Sequence, residues 1–329
     1  MNPKFKKMKN MILLFLCFFM TQCALSQSEW KTDEGKLLQG RAFAGSASLH
    51  NKIYIIGGVI NPYTDANQNT DIVEEYNPLT KTCIEKNGRM PTTRHCFGIA
   101  TDHNNSIYVA GGADWDGNYR AELEVYHVDT DKWTKLKSMP TPRQQTCAAL
   151  IGDSLYVIGG DNSAGNPATR YCFEVYVISK NEWVAKPNMP IAARNACAVV
   201  FNRKIYVIGG HGEGNKVLEY NPTKGSWAQK SNMPTPRTDL AVELLNGKIY
   251  AIGGHPGIPT VEEYDPLTDL WEKKENMPAG RCFHSSAVVN HSIYILGGST
   301  LYSDNQRGDF RNIESFMPDA LRTRSFEKD

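Results

Sequence analysis

The chain has 329 residues, 41% of them hydrophobic and 22% charged, and a formal net charge of +1. Those proportions are ordinary for a globular protein, and the length admits one large all-β domain or two of average size. So nearly neutral a surface gives no support to nonspecific binding of nucleic acid or of a membrane.

The first element is a segment rich in lysine, Lys4, Lys6, Lys7 and Lys9, followed by an apolar run from Met11 to Met20. A basic stretch before a short apolar one is the pattern of an export signal, and the run is shorter than the roughly 20 residues of a spanning helix. Ala24-Leu25-Ser26 supplies small residues ahead of a cleavage point at Gln27. Residues 1–26 therefore read as a signal peptide and residues 27–329 as one mature domain, secreted or periplasmic. In a competing reading Cys23 is the lipidated residue of a lipoprotein, although Gln22 stands where a small residue is usual. Cleavage at Gln27 would change the formal charge from +1 to −3. The mature chain keeps Cys83, Cys96, Cys147, Cys172, Cys197 and Cys282. Six cysteines permit 15 pairings, and their order in the sequence does not choose among them. Cys147 and Cys197 lie inside apolar runs and read as buried thiols.

From residue 53 onward the chain repeats itself. An Ile/Leu-Tyr-x-x-Gly-Gly pattern ends in the pairs Gly57-Gly58, Gly111-Gly112, Gly159-Gly160, Gly209-Gly210, Gly253-Gly254 and Gly297-Gly298. Each pair is followed by a short strand ending in an aromatic: Tyr76, Tyr126, Tyr176, Tyr220, Tyr264 and Phe316. Seven residues beyond the first five of these stand Cys83, Trp133, Trp183, Trp227 and Trp271, and then a Met-Pro pair with an arginine shortly after it. Asn77-Pro78, Asn221-Pro222 and Asp265-Pro266 mark turns between the third and fourth strands of a unit. Four short strands per unit leave each unit with faces it cannot bury alone, so stability requires the units to stack.

These spaced glycine pairs, tyrosines and tryptophans resemble the kelch-repeat family over essentially the whole mature chain. The resemblance implies an all-β fold, a six-bladed kelch-type β-propeller, in which large aromatics fill the space between blades. The sixth unit stops at Phe316 without its outer strand; Thr323 stands where the tryptophan belongs. Trp30 precedes Arg41 by the same interval that separates Trp183 from Arg194, so Glu29–Lys36 is expected to complete blade six and close the ring. The tail Asp319–Asp329 competes for that place.

In such a ring the loops between second and third strands open on the face where one blade passes to the next. Arg41, Arg94, Arg143, Arg194, Arg237 and Arg281 begin the inner strands at that face. They would form either a cationic ring suited to an anion or a set of ion pairs within blades. Glu74, Glu124, Glu174, Glu262 and Glu314, each two residues before the aromatic, are the expected partners. Blade four has Leu218 instead of the glutamate and one extra residue between Met-Pro and Arg194, which makes Arg194 the first choice for a ligand. Trp115 and Tyr119, on a loop of blade two, and His211 and His255, opening short loops of blades four and five, complete the candidate set. No histidine or cysteine spacing suits a metal, no catalytic motif stands out, and no cofactor is expected.

The resemblance implies a binding module for a protein or glycan, with an anionic ligand favoured by the arginines. An exported kelch propeller acting on a carbohydrate, such as a sialic-acid mutarotase, is the alternative. It would need an arginine for the sugar carboxylate and an acid–base group, for which Arg194 and Glu213 would serve.

Overall fold

The computed structural model describes residues 29–60, 68–162, 167–212, 214–299 and 311–318. The segment expected to direct export (Cys23 included), Glu213 and the tail beyond Pro318 lie outside them. Among the described residues there are six four-stranded antiparallel sheets and one small three-stranded sheet. The second strands, such as Lys52–Ile56, Ser106–Ala110 and Lys204–Ile208, are rich in β-branched and aromatic residues and almost wholly buried, as strands covered on both faces should be. Tight hairpins join first to second strands. In blade five Asn246 and Gly247 both have positive φ, 53° and 77°, the conformation a two-residue hairpin turn requires.

The innermost strands are Gly45–Leu49, Gly98–Thr101, Cys147–Ile151, Cys197–Phe201, Ala241–Leu245 and Ser285–Val289. Each neighbours the next, and the last neighbours the first. They surround an axial cavity of about 430 Å³. Between the blades lie six apolar clusters, which carry the stacking.

Blade six takes its outer strand from the other end of the chain. Glu29–Lys36 runs antiparallel to Asn312–Met317 with Trp30 opposite Phe316, as Trp133 lies opposite Tyr126 in blade two. The Trp30 and Phe316 rings stack 4.9 Å apart. The Trp30 indole donates to the Glu275 carbonyl of blade five at 3.1 Å. Trp133, Trp183 and Trp271 likewise donate to the preceding blade, at 3.3, 2.7 and 3.0 Å. Trp30 to Arg41 spans the same eleven residues as Cys83 to Arg94, and the Trp30 strand carries a bulge between Thr32 and Lys36. The equal span from Trp183 to Arg194 is not equivalent, because it ends one residue past the arginine position of blade four, which Ala193 fills.

The glycine pairs hold adjacent blades together. Gly159 and Gly160 have φ of 60° and 104°. A Cβ on Gly159 would lie 1.9 Å from the Ala193 carbonyl oxygen, so no side chain fits at this crossing. The second glycine of each pair donates to a carbonyl of the following blade: Gly58 to Arg94, Gly112 to Arg143, Gly160 to Ala193, Gly210 to Arg237, Gly254 to Arg281 and Gly298 to Arg41.

Candidate functional site

Five arginines at the loop face are internal. Arg41, Arg94, Arg143, Arg237 and Arg281 are at most 2% exposed. Each is paired with the glutamate of its own blade: Arg41 with Glu74, Arg94 with Glu124 at 3.0 Å, Arg143 with Glu174 at 2.5 Å, and Arg237 with Glu262 and Arg281 with Glu314 at 2.8 Å. Each also donates to a backbone carbonyl at or just before the glycine pair: Arg41 to Gly57, Arg94 to Val109, Arg143 to Gly159 and Val157, Arg237 to Ala251 and Arg281 to Gly297. Burial lowers the pKa of Arg41, Arg94 and Arg237 against the opposing pull of the partner carboxylates, Arg237 to about 10. In blades two, three and five a threonine just after Met-Pro adds a hydroxyl to the glutamate: Thr92, Thr141 and Thr235, at 2.8, 2.7 and 2.6 Å. Charges so placed hold strands and do not form a cationic ring open to a ligand.

Arg194 is not the sixth member of that set. The glycine-pair bonds put Ala193 in the arginine position of blade four, so the segment from Met189 has its usual length and contains no inserted residue. Ile191 takes the threonine position and Leu218 the glutamate position, and all three pack in one apolar cluster. Blade four has exchanged a buried ion pair for aliphatic contacts. Arg194 occupies the next position, equivalent to His95 in blade two, and reaches over the neighbouring blade. It bonds Gln145 Oε1 at 2.6 Å and Asp161 at 3.2 Å and keeps a side chain 29% exposed.

One position further along lies a feature with no signature in the sequence. Phe43, Cys96, Gln145, Asn195, Asp239 and Phe283 all have φ between 53° and 58°. Each N–H donates to the carbonyl of its counterpart in the preceding blade: Cys96 to Phe43, Gln145 to Cys96, Asn195 to Gln145, Asp239 to Asn195, Phe283 to Asp239 and Phe43 to Phe283, at 2.6–3.3 Å. The six bonds form a closed cycle around the channel axis. Left-handed backbone costs a non-glycine residue of order 1 kcal/mol, and here it is bound into that cycle in every blade. The six positions carry five different residue types, apolar, polar and acidic, because the backbone makes the bonds.

The cycle has two halves. On blades six, one and two it carries Phe283 and Phe43, with ring centroids 4.3 Å apart, and His95 packs against both Phe43 and Trp115 at 5.9 Å. Burial pushes the His95 pKa down to about 4. Trp115 is 51% exposed at the tip of a loop tied by Asp114, which accepts from the Asn118 backbone and side chain, both at 2.8 Å, and from Arg120. Tyr119 bridges to Ala113 at the base of that loop. On blades three, four and five the cycle carries Gln145, Asn195 and Asp239, with Arg194 above and the exposed His211 and His255 beside Asp239. Burial raises the Asp239 pKa, opposed by the Thr238 hydroxyl and the two histidines. Burial, then Arg194, lowers that of His211. Among the described residues no group of three or more His, Cys, Asp or Glu is placed to hold a metal, and no helix is long and apolar enough to cross a membrane. The six cysteines at positions 83–282 are free, Cys147 buried and Cys197 partly so.

A cycle of four-stranded antiparallel blades around an axial cavity defines a β-propeller. The model of the KLHDC2/KLHL20/DRC7 Kelch-repeats domain matches residues 44–254, and that of the Kelch motif matches residues 236–278. The chain belongs to the kelch-repeat family. It is similar to beta-scruin of Limulus polyphemus, 30% identical over 138 residues, a match covering 41% of this chain and 15% of that one. It is also similar to the Rab9 effector protein with kelch motifs of Bos taurus, 34% identical over 122 residues, 35% of this chain and 31% of the relative. Kelch-like protein 15 of Danio rerio is 29% identical over 127 residues, 34% of this chain and 21% of the relative. The matches thus span under a third of each of these relatives.

Proposed function

We propose that this propeller is an interaction module that receives a protein partner on the loop face. The observation that carries the reading is Trp115: a half-exposed indole on a loop already fixed by Asp114 loses little freedom on binding, which is the property of an anchor residue. Arg194, on the polar half of the cycle, supplies a charge for the partner's acidic or carbonyl groups. The relatives support the same reading, since one of them is by its printed name an effector of Rab9. A partner segment combining an aliphatic or aromatic residue with a carboxylate complements both halves.

Peptides selected from a displayed random library against residues 27–329 test this. They should be enriched in that combination and lose at least tenfold in affinity on Trp115→Ala and on Arg194→Ala. Binders indifferent to both substitutions would remove the loop face from the proposal. In parallel, sialic acid should leave the melting temperature unchanged. A shift that Arg194→Ala abolishes would instead favour the sugar-directed alternative.

A further inference from the structure

The third residue of each innermost strand pairs with the tyrosine of the second strand: Ala47 with Tyr54, Ala100 with Tyr108, Ala149 with Tyr156, Val199 with Tyr206 and Ala287 with Tyr294. In blade five that residue is Glu243, opposite Tyr250. A carboxylate has replaced a small apolar group on the wall of the axial cavity. The Ser286 hydroxyl of blade six donates to Glu243 Oε1 at 2.6 Å, and the Ser46 hydroxyl of blade one donates to the Ser286 carbonyl at 2.6 Å. Among the described residues lining the cavity there is no lysine or arginine. The acid is thus held by a neutral partner in a site that disfavours its charge.

We propose that the cavity binds a small protonated amine, with Glu243 as its counter-charge. The ammonium would lie against Glu243 and the lone pairs of the Ser286 and Ser46 hydroxyls, and its alkyl part along Ala47, Ala198, Ala287 and Val288. A cavity of about 430 Å³ lies within the range of small-molecule sites. A divalent metal ion is a poorer match, because one carboxylate does not make a coordination shell. An anionic ligand would meet a like charge. The other titratable side chains on the wall are His103, Cys147, Cys197 and His284.

Cyclohexylamine and its uncharged analogue cyclohexanol are suitable probes, titrated calorimetrically into residues 27–329 at pH 8. The amine should bind the wild type and lose at least tenfold in affinity with Glu243→Gln, while cyclohexanol should bind neither. Equal binding of amine by both proteins, or none by the wild type, would overturn the proposal. Should Glu243→Gln not fold, the wild type still decides. Burial pushes the Glu243 carboxyl up to about 7, so the amine should bind more than about tenfold more weakly at pH 5.5 than at pH 8. Affinity independent of pH across that interval would overturn it equally.

Discussion

Blades two and four solve one packing problem in opposite ways. In blade two, Arg94 and Glu124 are fully buried and joined to each other, to Thr92 and to the Val109 carbonyl. In blade four the corresponding Ala193, Leu218 and Ile191 form an aliphatic cluster. Both blades have the same strand register and the same glycine-pair bonds. The ion pair is therefore not required to build a blade. Taking two charges from water offsets much of their attraction, so a well-packed apolar set of similar volume can replace the pair at little cost. What a blade cannot tolerate is half of each arrangement.

Breaking one half sharpens that contrast most. Glu124→Ala leaves Arg94 buried without its carboxylate and should cost about 3–5 kcal/mol, measured by denaturant unfolding. Converting blade two wholly to the blade-four arrangement, with Thr92→Ile, Arg94→Ala and Glu124→Leu together, should restore stability to within about 1–2 kcal/mol of the wild type. That remainder is what imperfect repacking of a core costs. If the triple variant were as unstable as Glu124→Ala, the ion pair itself would be necessary and blade four an exception sustained by other contacts.

How far these features were legible in the sequence follows from what the chain repeats. The glycine pairs and the five glutamates recur because backbone crossings and buried partners dictate residue type, and each lies where its spacing implies. Trp30 takes its expected place opposite Phe316, although the Trp183–Arg194 interval that points to it ends one residue past the arginine position. The register of Arg194 is hidden in the sequence, because an arginine one place late is indistinguishable from an arginine after an insertion. The simultaneous loss of Thr and Glu at Ile191 and Leu218 was the available signal that the whole triad had changed. The hydrogen-bonded cycle through Phe43, Cys96, Gln145, Asn195, Asp239 and Phe283 left no trace, since backbone groups make it. Glu243 was visible as a break in a column of small residues only once the tyrosine register had aligned the inner strands.

The smallest expected effect on stability belongs to the arginine that sequence reasoning ranked first. Arg194 is bound to Asp161 and Gln145 across the blade boundary but keeps 29% of its side chain exposed. Solvent screening reduces what a pair so placed contributes, and Arg194→Ala should lower stability by less than about 1 kcal/mol. Asp161 would not be stranded by the loss, because Arg170 also bonds it at 3.0 Å. A variant of near-native stability that no longer binds the selected peptides would separate Arg194 from the five buried arginines, whose removal should unfold blades. A loss as large as that of Glu124→Ala would instead make Arg194 a sixth structural arginine, acting between blades where the others act within them.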